Sequence, residues 1–568
     1  MAVGTRNRRT IAAAVAALAL TLPLAGAGGL QASAGTTSAQ QTFVLRVDSA
    51  AMGSVIERVQ ALGGTVEHRL DGIDAAVVHL PEPAAATLRR TSGVLGMSEN
   101  APVKLQGQTS GYDAAADESS MLNVAYSTKA TLLWAGQSTG TSVTGAGVDV
   151  ALIDSGVTPV TGLAGAGKVI NGPDLSFESQ NTSTRYLDTF GHGTFMAGVI
   201  AGRDPYAGNP KDNPGAYNGI APDARVISLK VADARGNTDV SQVIAAIDWV
   251  VQHKSDPGMN IRVLNLSFGT PSLQRYVYDP LAYAAEIAWR KGIVVVVSAG
   301  NDGTGTGKLL NPAQDPYVLA VGADDTKGSR TVADDVIPSF STRGDGVRNP
   351  DLVAPGVSIQ GLRVPGSYID QTYGATAAFD DRFFRGSGTS QAAAVVSGAA
   401  ALLLQHRPGL TPDQVKALLM TTAKPLPAAD PQAQGEGVIN VDLAARTAVP
   451  TAKQSFPLST GIGTLDGARG AAKLVLNGVV LNGEKDVMGK PYVTSTRALQ
   501  QASGTSWSGG VWNGTSWAGT SWAGTSWAGT SWASGGWNGT SWAGTSWAGT
   551  SWSGTSWAGT AWAGGGWA

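Results

Sequence analysis

The run Gly386 to Leu404, GSGTSQAAAVVSGAAALLL, restricts the fold of this chain more than any other stretch. It carries no charged side chain, and Val395, Val396, Ala399, Leu402 and Leu403 recur at helical spacing, which predicts a helix apolar enough to be buried. Ser390 stands at the start of that helix. Gly386, Gly388 and the small Thr389 let the backbone turn sharply before it and leave room for a second chain, such as a peptide, to approach. Ser390 read alone is equally an ordinary helix N-cap, because serine is a preferred capping residue. The tripeptide Gly-Thr-Ser does not separate the two, since it recurs throughout the C-terminal tail. The choice depends on whether the chain supplies partners for a nucleophile.

A serine hydroxyl becomes nucleophilic when a neutral imidazole takes its proton and a buried carboxylate holds that imidazole in the right tautomer. There are five histidines. His68 and His79 lie in an N-terminal segment that reads as separable, and His253 and His406 fall at the C-terminal ends of predicted helices, where a cation is favoured. His192 remains, between Gly191 and Gly193, opening a helix whose Ala197, Gly198, Ala201 and Gly202 permit close packing. For the carboxylate, Gly147 to Ile153 is an apolar strand ending at Asp154, followed by Ser155 and Gly156. An Asp before Ser-Gly is also a common turn residue. Its place at the carboxyl end of a buried strand favours chemistry, because ligands gather at that edge of open parallel sheets. The order Asp, His, Ser also separates two folds. Residues 388–392 resemble the nucleophile elbow of the α/β-hydrolases, but that fold needs its histidine downstream, and His406 lies on the serine's own helix.

The motifs IDSG, GHGTFMAG and GTSQAAA, in this order, resemble those of the subtilisin-like serine peptidases, the subtilases. The resemblance implies Asp154 as the orienting acid, His192 as general base and acid, and Ser390 as nucleophile. It also implies an oxyanion hole made of the Asn301 side chain and the backbone NH of Ser390, since Val297 to Gly303 matches the family's Asn segment. Without the family, Asn301-Asp302-Gly303 is simply a turn. Leu266-Ser267-Phe268-Gly269 matches the strand end that pairs with an extended substrate, and Arg235-Gly236 would form the opposite edge. Backbone pairing of this kind implies broad specificity. One position departs from the family pattern: Ala394 stands where proline is usual, four residues after the serine. Alanine is a good helix former, so the serine's placement is expected to survive.

Residues 1–34 read as a signal peptide, with Arg6, Arg8 and Arg9, an apolar stretch Ile11 to Leu24, and Ala32-Ser33-Ala34, so export is expected, by general secretion in preference to the twin-arginine route at which the Arg8-Arg9 pair hints. The chain holds 568 residues with a formal charge of -2 and no polybasic run, which argues against a nucleic-acid partner. It has no cysteine, which excludes disulfides, thiol catalysis and Cys-based zinc sites. No apolar run past the signal peptide reaches membrane-spanning length. Residues 42–106 alternate as a small βαββαβ unit; ahead of a subtilase it resembles the family's propeptide, an inhibitor and folding aid that is cut away, with cleavage between Gly107 and Ser120. From 123 to 448 strands and helices alternate, predicting an α/β domain with a largely parallel sheet covered on both faces. The loop Arg203 to Asn218 could hold a calcium ion as in some family members, but no ligand spacing supports it and it reads as a plain loop; no cofactor is required. Residues 449–505 read as a linker or a small appendage. From 506 to 568 the pentapeptide GTSWA repeats, with a tryptophan every five residues. Such a period puts no stripe on a helix and alternates faces on a strand, so the tail reads either as flexible low-complexity chain or as an adhesive segment whose indoles stack on sugar rings of a cell-wall surface.

Overall fold

In the computed structural model, residues 40–70, 74–99, 114, 117–303, 307–476 and 479–516 are described. The stretch that reads as a signal peptide, most of the expected processing stretch and the repeats from 517 onward lie outside them. The chain forms two compact units, Met1–Gln108 and Thr109–Ala568.

The first unit has the predicted order: β1 (Gln40–Val47), α1 (Met52–Ala61), β2 (Thr65–Leu70), β3 (Ala75–Pro81), α2 (Glu82–Leu88) and β4 (Val94–Glu99). Its strands lie in the order β2-β3-β1-β4 and every pair is antiparallel. Met52, Val55 and Val59 line one face of α1 and pack on Phe43, Leu45, Val78 and Leu80. Gly63, at φ 77°, ends the helix.

The second unit opens with α3 (Met121–Ser127) and α4 (Ala130–Trp134). A seven-stranded sheet follows, built from β5 (Asp149–Asp154), β6 (Val169–Asp174), β7 (Arg225–Lys230), β8 (Ile261–Leu266), β9 (Val294–Ser298), β10 (Leu319–Asp324) and β11 (Leu352–Pro355). Its order is β11-β10-β9-β8-β5-β7-β6, with every neighbouring pair parallel. Interleaved helices are α5 (His192–Ala201), α6 (Val240–His253) and α7 (Pro280–Arg290). A small antiparallel sheet of β12 (Ile359–Leu362), β13 (Ala378–Phe379) and β14 (Phe383–Gly386) brackets α8 (Tyr368–Ala377). Then come α9 (Thr389–His406) and α10 (Pro412–Thr421), the latter opened by the predicted Thr411–Gln414 capping box. α9 is buried from Thr389 to Leu404 and packs on β8, β9, β10 and β11, as its composition requires. Ala394 lies inside it without a break.

β5 is the central switch point: the chain runs from it to one side through β7 and β6, and to the other through β8. In open parallel sheets the crevice at such a point, outside the carboxyl ends of the strands, is where ligands bind. The alternation of the sequence predicts five of the strands. It does not predict β6, whose Asn171-Gly172-Pro173 reads as a turn and in the structure makes an irregular register with β7, nor the four-residue β11.

Three boundaries differ from the sequence reading. Asp117 to Leu122 belongs to the second unit rather than to a free linker. Asp117 pairs with Arg385 at 3.0 Å, Gln360 N donates to Ser119 O at 3.1 Å, and Met121 is fully buried. Residues 449–505 are neither linker nor appendage, because Leu465, Ala468, Leu474, Leu481 and Tyr492 join the main core. Arg469, with no exposed surface, forms an ion pair at 2.7 Å with Asp239, the N-cap of α6.

The repeat region also begins inside the fold. Trp507 and Trp512 face each other across a hairpin with the two-residue turn Gly509-Gly510, and Trp512 pairs onward with Thr515 across Asn513-Gly514. Trp507 Nε1 donates to Ala245 O at 2.9 Å, and Trp512 Nε1 donates to Asp248 Oδ2 at 2.9 Å. A five-residue period scatters tryptophans only along an unbroken element. A turn within each step resets the alternation and returns both indoles to one face.

Burial pushes the carboxyls of Asp248 and Asp486 up to about 6, against the hydrogen bonds donated by Trp512 and Asn513 respectively. An unfolded aspartate titrates near 3.9, so between about pH 4 and 6 the folded unit binds more protons than the unfolded chain. The stability these groups contribute is full below the unfolded value and is lost as pH rises through about 6. The thermal midpoint is therefore expected to rise between about pH 7 and 5, and Asp248→Asn to flatten that rise. An equally steep pH dependence in the variant, measured by calorimetry, would contradict this account.

Candidate active site

Asp154 is the last residue of β5, and only 1% of its surface is exposed. His192 is the first residue of α5 and is equally buried. Their side chains meet: His192 Nδ1 lies 2.7 Å from Asp154 Oδ1 and 2.9 Å from Oδ2. An ionised Asp154, which also accepts the Ser155 backbone NH at 2.8 Å, offers only acceptors and so suits a proton on His192 Nδ1. Close approach depends on Gly193, where a Cβ would stand 2.2 Å from Gly156 O and 3.2 Å from Asp154.

Ser390 is the second residue of α9 and is buried. Its hydroxyl donates to Ser267 O at 3.4 Å, and Ser267 Oγ donates to Ser390 O at 3.3 Å. Ser267 follows β8, so the strand end and the helix start are tied together at the same carboxyl edge where Asp154 stands. Asn265 orders this contact by donating to Ser267 Oγ at 2.9 Å and accepting from Ser397 Oγ at 2.9 Å.

Asn301 leaves the end of β9 and turns its Oδ1 to Thr389, accepting from Thr389 N and Oγ1, both at 2.9 Å. The amide NH2 then points the other way. It stands 3.3 Å from where a Cβ on Gly388 would be, which is one reason for glycine there. Phe268 is nearly buried, and Gly269 and Gly300 face each other across the half-buried Leu310, which a Cβ on either would meet within 3 Å.

Arg235 and Gly236 lie apart from this cluster in a tight turn after β7, where Asp233 Oδ1 accepts from Arg235 N at 2.8 Å. Burial raises the Asp233 carboxyl to about 6. The Arg235 guanidinium sits 4.9 Å from the centre of the Tyr368 ring, which stacks on Phe190, two residues before His192. The turn thus borders the histidine side of the site. The other histidines stay elsewhere: His68 and His79 meet Glu67 at 3.7 and 3.1 Å in the first unit, His253 stacks on Trp249, and His406 ends α9.

In the loop 203–218 the carboxylates are engaged by cations, Asp204 by Arg382 and Asp212 by Lys211. Among the described residues no group of three or more His, Asp or Glu side chains is placed to hold a metal ion, and no helix is long and apolar enough to cross a membrane.

Two residues that sequence reasoning missed sit behind the Asp154–His192 pair. Ser155 Oγ lies 3.2 Å from Asp154 Oδ1 and 2.8 Å from Asp188 Oδ1. Burial raises the Asp188 carboxyl, opposed by hydrogen bonds from Thr194, Gly191 and Ser155. Asp188 had no signal beyond being one acid in a polar loop; the repeated small residues around His192 were the only hint of tight packing.

The model of the subtilase family matches residues 145–441, and one described as "Putative peptidase inhibitor domain" matches residues 32–96. Serine protease AprX of Bacillus subtilis is 37% identical over 310 residues, covering 53% of this chain and 67% of that protein. Subtilisin E of the same organism is 29% identical over 453 residues, covering 78% of this chain and all of that protein. Subtilisin DY of Bacillus licheniformis is 34% identical over 306 residues, covering 53% and 92%.

Proposed function

The chain belongs to the subtilase family and is a serine-type endopeptidase, and we propose that it is a secreted enzyme, made as a zymogen, whose catalytic residues are Asp154, His192 and Ser390. The observation behind this reading is the buried Asp154–His192 hydrogen bond at the carboxyl edge of the central strand, with Ser390 opening α9 at that same edge. In the proposed mechanism a polypeptide lies along Ser267-Phe268-Gly269 on one side and Arg235-Gly236 on the other. His192 Nε2 takes the Ser390 proton as Oγ attacks the scissile carbonyl, and Asp154 stabilises the imidazolium that forms. The Asn301 amide NH2 and the Ser390 backbone NH donate to the tetrahedral oxyanion. His192 then gives its proton to the leaving amine, and water repeats the sequence on the acyl-enzyme.

The inhibitor-like domain at the N-terminus supports the zymogen reading, in which the first unit is removed by cleavage before Asp117, where chain already packed on the catalytic unit begins. The test is the intact mass of the exported protein beside its Ser390→Ala variant. Loss of the first unit in the wild type but not in the variant is the expected result. Identical clipping of both would mean another protease matures the chain, and clipping of neither would remove the zymogen reading.

A further inference from the structure

A second buried carboxylate stands behind the Asp154–His192 pair. Asp188 is 2% exposed; its Oδ1 accepts from Ser155 Oγ at 2.8 Å and Gly191 N at 2.6 Å, and its Oδ2 accepts from Thr194 N at 2.7 Å. Gly191 and Thr194 flank His192, so one side chain pins the backbone on both sides of the imidazole. Every contact brings a donor to Asp188, the pattern of an ionised carboxylate.

Ser155 connects the two acids. Its hydroxyl accepts the Gly193 NH at 2.9 Å, which leaves its single proton to be given to Asp188 Oδ1 at 2.8 Å or Asp154 Oδ1 at 3.2 Å. The shorter contact takes the proton. Asp154 therefore receives the Ser155 backbone NH and the imidazole, and no hydroxyl.

We propose that Asp188 is a positioning residue for peptide hydrolysis: it clamps the helix end around His192 and draws the Ser155 hydroxyl proton away from Asp154, leaving Asp154 a full acceptor for the imidazolium. This rests on the assignment of Asp154, His192 and Ser390 given above. The other charged groups on the surrounding elements are Glu178 and Lys230, paired at 2.5 Å, Asp174, bonded to Tyr186 N, Asp370 with Arg363, paired at 2.6 Å, Arg185 over the Tyr186 ring, Arg235 over the Tyr368 ring, and Asp233, whose carboxyl burial raises to about 6. They are unchanged in the variants that test the proposal.

The experiment is the pH dependence of kcat and kcat/KM for the full chain carrying Asp188→Asn, Ser155→Ala or both. Asp188→Asn removes a negative charge and leaves Ser155 an amide oxygen, a weaker acceptor than a carboxylate, which shifts its proton toward Asp154; both changes lower the basicity of His192. Its acidic limb is expected to move down by about 0.5–1 pH unit, with kcat lowered about 10-fold and KM little changed. Ser155→Ala alone leaves the limb in place while lowering kcat, because the proton it deletes was not on Asp154. The double variant shifts less than Asp188→Asn, since no hydroxyl remains to be redirected. An unmoved limb in Asp188→Asn, or an upward shift in Ser155→Ala, overturns the proposal. If Asp188→Asn does not fold, the Ser155→Ala limb decides by the same criterion. A Ser390→Ala enzyme that still turns over at the wild-type rate removes the underlying assignment, and this proposal with it.

Discussion

Alanine at Ser390 or His192 is expected to lower turnover by about 10^6-fold, and alanine at Asn301 by only about 10^2 to 10^3, magnitudes carried over from subtilisin, a relative. The difference follows from what each change removes. In the proposed mechanism, loss of Ser390 removes the acyl-enzyme, and loss of His192 Nε2 removes the acceptor for the proton of a hydroxyl that now rests on Ser267 O. In the same mechanism, losing Asn301 removes one of the two proposed oxyanion donors and leaves the Ser390 backbone NH in place. It also strips Thr389 N and Oγ1 of their acceptor, so the loss should lie at the upper end of that range. Initial rates on a fluorogenic peptide, with mature protein prepared in trans where self-processing fails, provide the measurement. Similar residual rates in all three variants would contradict the roles assigned to them.

Trp512→Ala is expected to destabilise the second unit by about 3–5 kcal/mol, the range for deleting a fully buried large aromatic side chain. Trp512 has no exposed surface, stands 6.1 Å from the Tyr492 ring, and supplies a hydrogen bond to the buried Asp248. Removing it leaves both a cavity and a carboxylate short of a donor. Ending the chain after Ser516 should by contrast leave the thermal midpoint nearly unchanged, because Trp507 and Trp512, the repeat tryptophans buried among the described residues, precede that point. Calorimetry of the two proteins distinguishes a repeat region that is wholly accessory from one whose first steps complete the core. Equal midpoints for Trp512→Ala and wild type would favour the former.

The Asp154–His192 contact and the course of α9 were legible because local sequence nearly dictates them. A strand that must be buried ends at an acid, a glycine-flanked histidine opens a helix of small residues, and an apolar run has no polar face to expose. The role of Asp188 was not legible, since its importance depends on which hydroxyl and amides the turn 188–194 brings to it. Trp507 and Trp512 were hidden differently. Their repeats look like every other repeat, and what distinguishes them is the acceptor set that α6 offers in Ala245 O and Asp248. Asp248 itself, set within an otherwise apolar stretch of α6, and the lone Arg469 were the available signs that something would come back to cover that helix.

The return of the chain onto α6 has a kinetic consequence. Trp512 and Asp248 are separated by 264 positions, and Arg469 and Asp239 by 230; these contacts close some of the longest loops in the fold, on top of an all-parallel sheet. Long-range contacts and parallel pairing slow folding, because loop-closure entropy is lost before the contact is gained. The catalytic unit thus cannot finish its core until Trp512 has been synthesised and has reached α6. Once opened by heat it re-forms slowly, and an open chain is a substrate for any active molecule beside it. Its working lifetime is set by how rarely it unfolds, not by how well it refolds.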